Sequence, residues 1–106
     1  MKVGPAIVLA ALAVTALTQP AAAEDLKRGE VLLAHACGAC HGIGSGDSPV
    51  KDAPAFYTLG KRYPVENLEE ALGEGFMSGH PDMPEFTFDG GDVGDIIAYL
   101  KSIQQR

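Results

Sequence analysis

Cys37 and Cys40, two residues apart and followed at once by His41, constrain this chain more than any other feature. They are its only cysteines among 106 residues, and a disulfide between them would close too short a loop to hold distant parts of a fold together. A single domain of this size lies near the lower limit at which a hydrophobic core suffices. Such small folds are stapled by disulfides, a metal or a cofactor. With no long-range disulfide available, the staple has to come from another source, and Cys37-Gly38-Ala39-Cys40-His41 is the cluster of ligand-type residues that offers one.

The domain itself is shorter than the chain. Met1-Lys2 gives a minimal positive start, residues 6–17 form a continuous run of apolar and small side chains, and Ala21-Ala22-Ala23 carries the small-x-small pattern of signal-peptidase cleavage. An apolar core of about a dozen residues falls short of the roughly 20 that span a bilayer. The expected organisation is a secretory signal peptide over 1–23, cut after Ala23, and one mature domain over 24–106, exported to the periplasm. Cleavage removes Lys2 from the 8 basic residues and leaves the 14 acidic ones, so the net charge moves from −6 to −7. That balance argues against nucleic acid as a partner, because a phosphate-binding surface needs clustered Lys and Arg. Acidic side chains recur at Glu66, Glu69, Glu70 and Glu74, and again at Asp82, Glu85, Asp89, Asp92 and Asp95. Each alone is an ordinary solubilising charge. Their summed field favours a partner with a basic docking surface.

Periodicity predicts helices and no strands. Leu26, Gly29, Leu33, Ala36, Cys37 and Cys40 recur at intervals of three or four, placing one helix over about 25–40 with both cysteines on or near its apolar side. Residues 42–54 are rich in Gly, Ser, Asp and Pro and read as loop. Pro64 suits the first position of a second helix, with Val65, Leu68 and Leu72 on one face, and Gly73 and Gly75 closing it. Residues 76–88 read as an extended loop containing Met77 and Met83. Val93, Ile96, Ile97, Leu100 and Ile103 form the stripe of a third helix, with Asp89 and Asp92 in a capping arrangement at its start. The expected fold is all-α, three or more short helices joined by long loops around something large.

The pattern C-x-x-C-H marks covalent attachment of haem. Near a helix end, two cysteines three apart can reach two vinyl groups on one edge of the macrocycle, and the adjacent histidine turns under the ring to meet the iron. Three other readings compete. A thioredoxin-like redox pair opens a helix, so that the dipole stabilises a thiolate, whereas this motif follows one. A zinc site needs further Cys or His ligands, and His35 and His80 complete no such motif. A local disulfide would stabilise little.

With these residues in view, the mature chain resembles a class I c-type cytochrome from Leu26 to Ile103, specifically the small bacterial mono-haem proteins. Gly29 and Leu33 match the glycine and large apolar residue that precede the haem motif in that family, and Ile96 and Tyr99-Leu100 match the pattern of its C-terminal helix. The resemblance implies that the two helices cross at Gly29. It also implies a cytochrome c fold wrapped round one covalent haem c, bonded to Cys37 and Cys40, with His41 and the methionine of Met83-Pro84 as axial iron ligands. Pro54 would lend its carbonyl to His41. The stretch from His41 to Met83 is shorter than in mitochondrial cytochrome c, and without tryptophan the family's tryptophan contact to a propionate cannot form; Tyr57, Lys61, Arg62 and Tyr63 are candidates to replace it.

Met77 and His80 compete with Met83 for the sixth position, His80 giving a bis-histidine haem of lower potential. Candidate pocket residues are Leu33, Phe56, Leu59, Leu68, Leu72, Phe86 and Ile97, each equally explained as core. With both axial positions filled, the protein is expected to be no enzyme but a periplasmic one-electron carrier, a monomer meeting redox donors and acceptors transiently. The alternatives are a haem c subunit fixed in a larger periplasmic oxidoreductase, or a five-coordinate haem sensor or peroxidase-like enzyme.

Overall fold

A computed structural model of the chain describes residues 2–6, 10–13, 24–75 and 81–104. The expected cleavage site at Ala21-Ala22-Ala23, and Met77 and His80, lie outside them. Among the described residues there are three α-helices, α1 (Leu26–Cys37), α2 (Leu68–Glu74) and α3 (Gly90–Ile103), with 3₁₀ turns at Phe56–Lys61 and Val65–Asn67. No strand is present among them beyond one isolated bridge residue, Phe86. No described helix is long and apolar enough to cross a membrane. The all-α expectation is therefore met.

Helix α1 begins because the Asp25 side chain accepts a hydrogen bond from the Arg28 backbone N–H at 3.0 Å, satisfying a donor that the first turn leaves open. Its buried residues are Gly29, Leu33 and Cys37, four apart and so on one stripe. Leu26, expected on that stripe, is 48% exposed, since it precedes the crossing point. The helix ends at Cys37, earlier than the sequence pattern predicts.

Helices α1 and α3 form the principal packing pair, joining the two ends of the domain. A side chain on Gly29 would drive its Cβ into the Asp95 carbonyl oxygen and within 2.7 Å of that carbonyl's carbon, so only glycine permits the approach. Leu33, Ile96 and Leu100 meet at this crossing and are essentially inaccessible. Arg28 clasps the pair from outside: its Nη1 lies 2.9 Å from Asp95 Oδ2, and its Nη2 pairs with Asp92. The Asp25 backbone N–H adds a bond of 2.8 Å to Asp95 Oδ1. Asp92 is thereby turned to Arg28, and Asp89, at the N-cap of α3, makes no side-chain cap hydrogen bond. The expected capping pair is replaced by a tertiary clasp.

The second predicted helix forms in two pieces. Pro64 caps the 3₁₀ turn Val65–Asn67, which leads into α2. Gly73 lies inside α2, and Gly75 ends it with φ of 120°, a conformation that side-chain-bearing residues rarely adopt. The chain returns to α2 through the Phe88 N–H, which donates to the Leu72 carbonyl at 2.9 Å.

Candidate metal centre

The C-terminus of α1 shapes the motif. The Cys37 carbonyl accepts from both the Cys40 N–H (3.2 Å) and the His41 N–H (2.9 Å), so residues 38–40 fold into a tight turn instead of a fourth helical turn. Cys37 is buried and Cys40 half-buried, and both are free thiols. Burial pushes the Cys37 thiol up to about 11, with Cys40 adding to the shift. At neutral pH it is therefore a neutral thiol, the opposite of what a thioredoxin-like nucleophile requires. No group of three or more His, Cys, Asp or Glu side chains placed to hold a metal ion occurs among the described residues, which leaves the zinc reading without support.

The loop that follows grips His41 at several points. Its Nδ1 lies 2.8 Å from the Pro54 carbonyl oxygen. A carbonyl can only accept, so Nδ1 carries a proton, and in the neutral imidazole Nε2 keeps its lone pair. The Phe56 ring stacks on the imidazole, with centroids 4.7 Å apart and planes at 28°. The Phe56 N–H donates to the Gly42 carbonyl at 2.9 Å, and Ser48 Oγ accepts from the Gly42 N–H at 3.0 Å. Gly42 has no room for a side chain: a Cβ would strike the Gly46 carbonyl oxygen and lie 3.0 Å from the Asp47 carbonyl carbon. Tyr99, on α3, donates its hydroxyl to the Ile43 carbonyl at 2.8 Å, anchoring the same loop to the helical crossing.

These elements border a cleft of about 250 Å³. The end of α1 and the motif contribute Ala36, Cys37, Ala39, Cys40 and His41; the following loop contributes Val50, Asp52 and Ala53; residues 82–86 bring Asp82, Met83, Pro84 and Phe86. The lining is mostly apolar, and neither Lys nor Arg is among these residues. A separate depression at Glu66, Asn67, Glu69 and Glu70 is open, acidic surface that shares no residue with the cleft.

The donor set suits a haem. One imidazole nitrogen with a free lone pair, one thioether sulfur and two thiols at C-x-x-C spacing border a single apolar cleft, and alanines at 36, 39 and 53 keep its wall low. Cys37, Cys40, His41 and Met83, separated by up to 46 positions in sequence, are thus brought to one place.

Of the pocket candidates, only Phe86 lines the cleft. Leu33, Phe56, Leu59, Leu72 and Ile97 belong to the buried core, and Leu68 packs against it. Phe56 stands behind His41, and Leu59, 5% exposed, follows it on the same 3₁₀ turn, which directs both inward. Tyr57, Lys61, Arg62 and Tyr63 do not border the cleft. Val50, Asp52 and Ala53 went unrecognised as wall residues. The available signal was Val50 itself, an aliphatic residue in a Gly/Ser/Asp/Pro loop, 46% exposed at the cleft.

Comparison with known proteins completes the picture. The family model described as cytochrome C oxidase, cbb3-type, subunit III matches residues 24–100. Cytochrome c-552 of Bradyrhizobium diazoefficiens is 31% identical over 94 residues, covering 88% of each chain. No solved structure matches.

Proposed function

The chain belongs to the cytochrome c family, and we propose that it is an exported, periplasmic one-electron carrier whose single haem c is bonded to Cys37 and Cys40 and ligated by His41 and Met83. A haem held there supplies one-electron chemistry at its iron, ferrous to ferric and back. The observation that carries the proposal is the hydrogen bond from His41 Nδ1 to the Pro54 carbonyl. It fixes the tautomer that leaves Nε2 as a ligand, in a cleft that also holds both cysteines and a methionine.

Each residue has a task. Cys37 and Cys40 would hold the ring by thioether bonds, each S–H adding across a vinyl C=C of the macrocycle. The Pro54 carbonyl orients the imidazole and raises its basicity. Met83, a neutral thioether, favours ferrous iron and so raises the potential over a bis-imidazole site. With a haem bound, the apolar wall would limit water at the iron and move the potential the same way.

Two observations support a cleaved leader with a mature domain over 24–106. Val3 and Leu12 are 94% and 90% exposed despite being apolar, and the family match begins at residue 24. The acidic surface supports a partner with a basic docking face.

An absorption spectrum of the exported protein tests the reading. A reduced α band of c type, with a weak ferric band at the red edge from sulfur ligation, is expected. Met83→Ala is expected to lose the red-edge band, lower the potential and let the reduced protein bind carbon monoxide. An unchanged spectrum and potential in this variant would remove Met83 as ligand, and ready carbon monoxide binding by the unaltered protein would favour the five-coordinate sensor or enzyme.

The description of the matching family, an oxidase subunit, favours a second reading: a haem c subunit held permanently by a larger periplasmic oxidoreductase. Sedimentation of the natively purified protein separates the two. A lone monomer at micromolar concentration supports the free carrier, and co-purification with a stoichiometric partner supports the subunit.

A further inference from the structure

Gln104 follows the last residue of α3, and its amide ties that helix to the 3₁₀ turn Phe56–Lys61. Its Nε2 donates to the Phe56 carbonyl at 2.9 Å and to the Leu100 carbonyl at 2.7 Å, while its Oε1 accepts from the Gly60 N–H at 2.6 Å. The orientation is unambiguous, since exchanging the two amide atoms would set an oxygen against two carbonyls and a nitrogen against an N–H. Gly60 makes room for it: a Cβ there would lie 3.0 Å from Gln104 Oε1 and 3.3 Å from its Cγ.

The 3₁₀ turn gripped by Gln104 is the one that holds His41. Phe56 stacks on the imidazole and donates its N–H to the Gly42 carbonyl, and Pro54, two residues earlier, accepts the Nδ1 proton. The Phe56 backbone is thus tied on its N–H side to the residue after His41 and on its carbonyl side to Gln104. The fixed end of that chain is α3, whose Leu100 is 2% exposed.

We propose that Gln104 is a positioning residue for His41, setting the strength of the bond from its Nδ1–H to Pro54 by pinning the 3₁₀ turn against the end of α3. The proposal rests on the reading of His41 as the iron ligand. Loosening the turn weakens that bond and makes the imidazole a poorer donor. Ferric iron is then less stabilised and the potential rises.

The test uses the haem-loaded protein and three variants. Gln104→Met keeps side-chain length and neutrality but removes all three hydrogen bonds. Gly60→Ala leaves the amide in place and displaces it. Ser102→Ala, which loses only a bond from its hydroxyl to the Tyr99 carbonyl on the same helix end, is the control. Two quantities are read besides thermal stability: the midpoint potential, and exchange of the His41 Nδ1 proton in the reduced protein by NMR.

Gln104→Met is expected to raise the potential and speed the exchange about fivefold, the effect of one typical net hydrogen bond. Gly60→Ala should move both in the same direction by less, and Ser102→Ala should move neither. If Gln104→Met lowers stability yet leaves potential and exchange unchanged, its role is structural and the proposal fails. Should Gln104→Met not fold, Gly60→Ala decides by the same two readings. Failure of the ligand assignment looks different: the unaltered protein would then show no histidine-ligated haem, which overturns both readings together.

Discussion

The helical crossing and the cleft wall are built on opposite principles. At the crossing, α1 and α3 touch through Gly29, Leu33, Ile96 and Leu100, all closed off from water, and the outside is clasped by Arg28. Around the cleft, Ala36, Ala39, Val50 and Pro84 are apolar yet exposed, and Met83 and Phe86 are half-exposed. The crossing satisfies itself from within the chain. The cleft presents apolar surface and ligand atoms whose natural complement is a large flat group. Stability and ligand chemistry are therefore divided between regions, and they should respond separately to mutation.

The strongest way to break this division is Leu33→Ala, which leaves a hole at the crossing and is expected to cost about 2–5 kcal/mol of folding stability, read by denaturant unfolding of the haem-loaded protein. The ligand bands in its spectrum should not change. Gly29→Ala comes next, at about 1–3 kcal/mol, because the added methyl must push two helix backbones apart. On the cleft side, Met83→Ala should cost less stability than either while changing the potential most. A Met83→Ala protein that unfolds as readily as Leu33→Ala would show that the two regions are one cooperative unit.

The smallest expected effect is on pH dependence. Asp95 is held below the usual carboxylate range, first by the bond from the Asp25 N–H and then by Arg28. A carboxyl whose folded pKa is depressed contributes stability above its unfolded value, near 4, and loses it as pH falls through the folded value. Asp95→Asn should therefore flatten the acid limb of the stability profile below about pH 4. Because the clasp is solvent-exposed, added salt should shrink the difference.

How far the fold was legible depended on the range of the interactions that fix each element. Helix α3 was readable because five apolar residues repeat at helical spacing, strongly enough to carry Gly94 within the stripe, and no proline interrupts them. The motif was readable because its ligand atoms lie within five residues. The 3₁₀ turn Phe56–Lys61 was not: Phe-Tyr-Thr-Leu-Gly-Lys has no helical period, and Gln104, more than 40 residues away, ties down two of its backbone groups. The end of α1 was misjudged for a similar reason, since the apolar spacing continues to Cys40 while the Cys37 carbonyl is taken by a turn. Asp92 fitted a local capping pattern, and only the folded chain shows that Arg28 claims it. The cleft wall was hardest, because pocket and core residues are the same chemical types. Local spacing cannot tell Phe86, on the wall, from Leu59, beneath it.

The clasp of α1 on α3 also bears on how such a chain can diverge. By joining the ends of the domain, it turns everything between Cys37 and Gly90 into one closed excursion that carries the motif, the histidine-gripping loop and Met83. Closure entropy rises only slowly with contour length, about 0.6 kcal/mol for each doubling. Insertions and deletions within the excursion thus barely tax the clasp, and descendants can lengthen or trim their loops, altering reach and recognition, while the two terminal helices stay as they are.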